Sequence, residues 1–287
     1  PTVRSLVVWP YPILYGFIFF LFSVKYYLKF IDKKKFKIID AQKNTFFLAL
    51  ASYITPTFSV FVIFFLYKFF LGFKNKKYFI YIIIFNFLLA SPAFVYYFLN
   101  DFYLFNTAVF GVELSTKINV FNKIIIILSL VLFYFIPFIN KETIKNYISG
   151  LKSLYKEYTL IIFFLICIYF FNFPSGNFGG GIFLHFSQDI LNNNLPLFAA
   201  FLLSITLFKS MQLLNISNIL LFTCLILYNP QVSIYHKYFD PLLLFIFLFL
   251  MSNNKIKNKT SFLKITKGYY ILYLVFLMMS FYKVNAL

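Results

Sequence analysis

The chain has 287 residues, of which 62% are hydrophobic and 12% charged, with a formal net charge of +18 and a mean hydropathy of +0.84. A soluble domain is about half apolar and a quarter charged, so this composition excludes an ordinary soluble fold and predicts an all-α polytopic transmembrane helix bundle of about nine or ten spans. The positive balance does not indicate nucleic acid, because nucleic-acid binders array their cations on a solvated face, whereas these lysines fill gaps between apolar runs.

The 46 Phe and 23 Tyr accompany abundant Ile, Lys and Asn, the residue bias of AT-rich coding, and are not read as an aromatic binding surface. No fixed-period repeat is present. A single membrane domain over 1–287 is expected, without a soluble appendage.

A spanning helix takes about 20 mostly apolar residues, and the apolar runs fall at 5–24, 44–55, 57–73, 78–98, 121–139, 159–173, 194–209, 214–229, 240–252 and 268–284. The first is headed by Arg4, the only arginine, and is followed by the stretch 26–43, which reads as a basic amphipathic segment lying on the inner leaflet. The second and third runs are short and meet at Thr55-Pro56-Thr57, where proline interrupts the helix ladder. They are either two crossings joined by a tight turn or one kinked helix.

Lysine placement decides between the two, because Lys and Arg are retained on the cytoplasmic side. Lys25, Lys29, Lys33, Lys34, Lys35, Lys37 and Lys43 fill the gap before the pair, and Lys74, Lys76 and Lys77 the gap after it. Both gaps are therefore expected inside, with the chain going out and back around Pro56. Continuing the alternation, 99–120, 174–193 and 230–239 are outer gaps, holding only Lys117 and Lys237, with Lys123 just beyond the first. In the fourth run, Ser91-Pro92 is expected to kink a helix.

Topology sorts the rarer side chains. Asp32, Asp40, Glu142 and Glu157 fall on the inner side beside lysines, as solvated charge partners. Asp101, Glu113, Asp189, Asp240, His185 and His236 fall on the outer side, which is therefore the expected functional face. In the outer loop 174–193, glycines precede His185 and Asp189, whose i, i+4 spacing puts them on one helical face within hydrogen-bonding reach. The glycines also let backbone N–H groups approach a phosphate, although the GK[ST] of a P-loop is missing. A second cluster, Tyr235, His236, Lys237, Tyr238 and Asp240, crowds the mouth of the run that begins at Pro241. A lysine there, against the topology rule, suits a lipid-linked phosphate. Cys167 and Cys224 sit inside apolar runs with no CxxC spacing, so neither a disulfide nor a metal site is expected.

Three features together resemble the GT-C superfamily of membrane glycosyltransferases: the short-helix pair turning at a proline (LALASYITPTFSVFVIFF, 48–65), an arginine heading an early span (VRSLVV, 3–8), and HKYFDPLLLFIF at 236–247. The last is similar to the family's basic-Tyr-x-x-Pro opening of a late span, with Lys237 and Tyr238 in the matching positions. The resemblance implies transfer of a sugar from a polyprenyl-phosphate or dolichyl-phosphate donor to a glycan, lipid or protein acceptor. It points to Lys237, Tyr238 and Arg4 for the donor phosphate, while the outer-face placement, and not a residue-by-residue match, offers His185, Asp189, His236, Asp240 and Asp101 as substrate-loop residues. It establishes no cofactor and leaves a divalent metal open.

In that family the catalytic carboxylate lies in the first outer loop, and no acidic residue precedes Asp32 here. The resemblance thus implies that the base lies upstream of Pro1, in a first span and loop outside this sequence, and that the chain alone is inactive. An O-antigen polymerase-like polysaccharide protein and a secondary transporter are the alternatives. The expected home is the cell inner membrane.

Overall fold

The structure, a computed structural model, describes residues 12–32, 37–99, 120–135, 144–145, 147, 158–173, 179–210, 213–229, 234, 239, 242–251, 270–271, 274 and 278. Among them the fold is all-helical, the only extended pairing being a parallel bridge between Gly179 and Ile234. In chain order the elements are α1 (Pro12–Asp32), α2 (Ile38–Ile54), a 3-10 turn (Pro56–Phe61), α3 (Val62–Gly72) and α4 (Lys76–Leu99). There follow α5 (Val120–Phe135), α6 (Tyr158–Tyr169), α7 (Gly181–His185) with a π turn (Phe186–Ile190), α8 (Leu195–Ser210) and α9 (Ile216–Tyr228). Last comes α10 (Leu242–Phe245), which runs into a second π turn (Ile246–Leu250). The apolar run 268–284 lies outside the described residues except for four helical positions.

Two of these helices are long and apolar enough to cross a membrane, over Ile13–Asp32 and Lys76–Tyr96. They differ in what surrounds them: 33% of the first helix's most apolar stretch is buried, against 6% of the second's. On α4, Phe87 and Leu88 are each 65% exposed and Phe98 and Leu99 each 78%, so α4 is not the core helix of a water-soluble fold, which would hide its apolar side chains.

The chain divides into two compact units. Unit 1 takes in Pro1–Lys123, Asn172–Gly181 and Asn215–Met251. Here α1 and α2 lie antiparallel. Gly16 on α1 lies so close to Thr55, just past the end of α2, that a methyl group on Gly16 would come within 2.7 Å of the Thr55 hydroxyl oxygen. Farther along, Asn44 Nδ2 donates to the Ser23 hydroxyl and carbonyl oxygens at 2.7 and 2.9 Å. The next segment runs parallel to α1: Phe20 meets Phe58 and Phe61 (centroids 5.0 and 4.9 Å), and Phe30 meets Phe69 and Phe73 (4.9 and 5.1 Å). Since α2 opposes α1 and the following segment follows it, the chain reverses direction at Pro56, as the lysine count requires; the single kinked helix is excluded.

The local cause of the reversal is plain. Thr55 adopts an extended conformation (φ −138°, ψ 97°) and Pro56 opens the 3-10 turn, a position where its missing N–H costs nothing. The Ser59 hydroxyl donates to the Pro56 carbonyl at 2.7 Å. The Phe30–Phe73 contact places the lysine-bearing turns after α1 and after α3 at one end of unit 1, while Pro56 lies at the other. Tyr53 O–H, beside the Pro56 turn, donates to the Leu89 carbonyl of α4 at 2.5 Å.

Three sequence expectations are corrected, the first being that Asp40 is a solvated charge partner: it is buried, at 5% exposed. The segment 26–43 is not one separate amphipathic stretch: residues 26–32 are the end of α1 and residues 38–43 the start of α2. The first apolar run accordingly extends beyond residue 24. Helix α4 runs continuously through Pro92; proline removes the bond to the Leu88 carbonyl, and the Ser91 hydroxyl supplies a replacement at 2.8 Å.

Unit 2 takes in Ile124–Phe171, Ile182–Leu214 and Ser252–Leu287. Its centre is α8, with Leu197, Ala200, Phe201, Ser204 and Ile205 buried. Phe201 stacks on Phe164 of α6 at 5.4 Å. Ser204 Oγ donates to the Leu128 carbonyl of α5 at 2.7 Å, and Thr206 Oγ1 bonds the Tyr147 hydroxyl at 2.8 Å.

Candidate functional site

Helix α9 fixes the position of the candidate site. Its C-terminal Tyr228 packs on Phe58 and Phe61 at the Pro56 end of unit 1 (centroids 5.2 and 6.0 Å), and Cys224 Sγ reaches the Val60 carbonyl at 3.4 Å. The segment leaving α9 therefore starts at that end, which is the end the lysine count assigns to the outer side.

Three connections expected on the outer side are tied together there by polar contacts. Lys123, in the first turn of α5 and 4% exposed, donates its ammonium to the Asn229 carbonyl just past α9. Its neighbour Asn122 holds the backbone of Asn172 at both ends, donating from Nδ2 to the carbonyl at 2.7 Å and accepting the N–H at 2.9 Å. Gly180 N–H donates to the Ile234 carbonyl at 2.7 Å. The entry to α5, the exit from α6 and the exit from α9 thus converge at one end of unit 1.

The glycines have the backbone role their spacing suggested. Gly179, Gly180 and Gly181 have φ of 83°, 112° and 80°, a left-handed run that side chains oppose. It lets the chain pair with Ile234 and then enter α7. The loop expected over 174–193 is accordingly helical from Gly181 onward, since left-handed glycines end one segment without preventing the next from winding.

In unit 2, His185 Nδ1 lies 2.8 Å from Asp189 Oδ2, across the join between α7 and its π turn, so the i, i+4 contact read from the spacing is present. Both side chains are open to solvent, at 39% and 56%. The turn is held behind them by Asn193 N–H donating to the Ser187 carbonyl at 2.9 Å. Asn193 Oδ1 accepts the Leu195 N–H at 3.0 Å at the start of α8. A carboxylate on Nδ1 fixes the orientation of the ring and leaves Nε2 for a second partner.

Arg4, Asp101, His236, Lys237, Tyr238 and Asp240 lie outside the described residues. Two described residues of that segment, Ile234 and Phe239, are fully buried in unit 1, with Phe239 6.3 Å from Tyr228. Among the described residues, no three His, Cys, Asp or Glu side chains gather in a way that could hold a metal ion.

Sequence reading missed Lys123 and Asn122 as a pair. The available signal was a lysine and an asparagine opening an apolar helix on the side where lysines are scarce. No family model, curated protein or solved structure matches the chain.

Proposed function

We propose that this protein is a multi-pass glycosyltransferase of the cell inner membrane that moves a sugar from a polyprenyl-phosphate donor to an acceptor on the outer face, in the synthesis of cell-envelope glycans or glycoconjugates. The observation that carries the reading is the convergence at the Pro56 end of unit 1. A buried ammonium, Lys123, is held there against the segment that runs on through Ile234 and Phe239. That segment contains the Lys237-Tyr238 pair of the GT-C resemblance. Membrane residence is supported by the composition and by α4, whose most apolar stretch is 6% buried.

In this reading an acceptor hydroxyl attacks the anomeric carbon, a carboxylate takes its proton, and the bond to the lipid phosphate breaks. The developing phosphate charge is met by Lys237 and Lys123, cations at a low-dielectric interface where such stabilisation is strongest.

The test uses membranes containing the protein expressed from its natural reading frame, supplied with radiolabelled polyprenyl-phosphate hexoses and pentoses. Sugar transfer that falls by roughly a hundredfold in Lys237→Ala upholds the reading. Failure to consume any donor of either class removes it and brings the transporter alternative forward.

A further inference from the structure

At the lysine-rich end of unit 1, two cations from different helices meet one aromatic ring. Lys29 Nζ of α1 and Lys43 Nζ of α2 stand 5.2 and 5.3 Å from the centroid of Tyr26. The other partner of that ring is Phe47, stacked at 5.4 Å and 5°. The arrangement is set by the fold rather than by chance side-chain placement. The Asn44–Ser23 hydrogen bonds, 2.7 and 2.9 Å, lock the register of the two helices one turn away. Among the described residues no carboxylate pairs with Lys29 or Lys43.

Two ammonium groups over one ring gain from its negative face but repel each other, and an anion between them converts that repulsion into two charge-assisted hydrogen bonds. The surroundings specify the kind of anion. Phe22 and Phe46, on the same two helices, are 40% and 42% exposed; they give a soluble phosphate nothing to bind and give acyl chains an apolar wall. We propose that the α1–α2 hairpin binds one anionic phospholipid, its phosphodiester between Lys29 and Lys43 beside Tyr26 and its chains against Phe22 and Phe46.

The inference rests on the membrane residence argued above but not on sugar transfer. Basic sites between helices at the cytoplasmic face are the general means of holding such headgroups. The lysines that the sequence offers as topology signals would here also form a site of defined geometry.

The experiment is native mass spectrometry of the full chain in detergent, loaded with phosphatidylglycerol or with phosphatidylcholine of the same chains. Lys29→Gln/Lys43→Gln is compared with Lys74→Gln/Lys77→Gln, which removes the same charge from the other exposed turn. The expected result is preferential retention of one phosphatidylglycerol, lowered roughly tenfold in the first variant, unchanged in the second and restored by Lys29→Arg/Lys43→Arg. Equal retention of the two lipids, or equal loss in both glutamine variants, overturns the site. Recovery of the chain in the aqueous phase without detergent overturns the membrane reading along with it.

Discussion

Lys123 and Asn229, 106 residues apart, are joined by a bond from the lysine ammonium to the asparagine carbonyl. The lysine is 4% exposed, so its charge has left water for a single carbonyl acceptor, an arrangement that contributes little net stability. Replacing a buried charge with an apolar side chain of the same length is close to neutral, whereas truncation leaves a cavity. Lys123→Met is therefore expected to stay within about 1 kcal/mol of wild type in detergent unfolding, and Lys123→Ala to lose about 2 kcal/mol or more. Under the proposed function Lys123→Met nevertheless lowers sugar transfer by roughly a hundredfold. A methionine variant as active as wild type would leave the lysine a purely structural part.

Asn122 is a different case, because its partner cannot adapt. The side chain satisfies both the N–H and the carbonyl of Asn172, at 2.9 and 2.7 Å, and is itself 5% exposed. Asn122→Ala removes both bonds and leaves two backbone groups to be desolvated without them, a loss of about 2–4 kcal/mol. Asn122→Asp keeps only the acceptor and adds a charge, and is expected to fall at least as far. Urea unfolding of the two variants checks the order.

The long apolar helices were legible because an uninterrupted apolar run of about 20 residues leaves an unambiguous signal; α4, running through Pro92, is the plainest example. The reversal at Pro56 was legible because lysines mark both of its flanks. The segment 26–43 was misread as one separate stretch, when it ends α1 and opens α2. Lysines ending one helix and opening the next imitate an amphipathic face, and only the contacts across it, Ser23 with Asn44, distinguish the two. Lys123 and Asn122 were hidden for a further reason. Their partners are backbone groups at positions 229 and 172, and a carbonyl carries no identity that a sequence can display. The His185–Asp189 contact needed no distant partner and was read directly from its spacing.

Gly16 tests how closely α1 can approach the end of α2. A side chain there meets Thr55 Oγ1 at 2.7 Å and Phe58 at 3.2 Å, both in the segment that turns the chain. Gly16→Leu is expected to cost about 1–3 kcal/mol through forced displacement. Thr55→Val keeps the shape of the threonine and removes a buried hydroxyl that has no hydrogen-bond partner among the described residues; it is expected to be neutral or stabilising by up to about 1 kcal/mol. Thermal unfolding in one detergent separates the two, and a destabilised Thr55→Val would show that the hydroxyl has an unseen partner.

The two ends of α3 should face opposite sides of the membrane if the reversal at Pro56 is a pair of crossings. Ser59 and Asn75 are both exposed and bracket that helix, which makes them suitable positions for single cysteines. The native Cys167 and Cys224, 0% and 1% exposed, are replaced by alanine. In intact cells a membrane-impermeant maleimide is expected to label Ser59→Cys at once and Asn75→Cys only after permeabilisation, because the lysines at 74, 76 and 77 hold that turn inside. The reverse pattern would invert the assigned topology and move the Lys123 cluster to the cytoplasmic face, where an outward-facing sugar transfer could not use it. Labelling of both positions in intact cells would mean that α3 does not cross, leaving α1 and α4 to carry the membrane reading on their own.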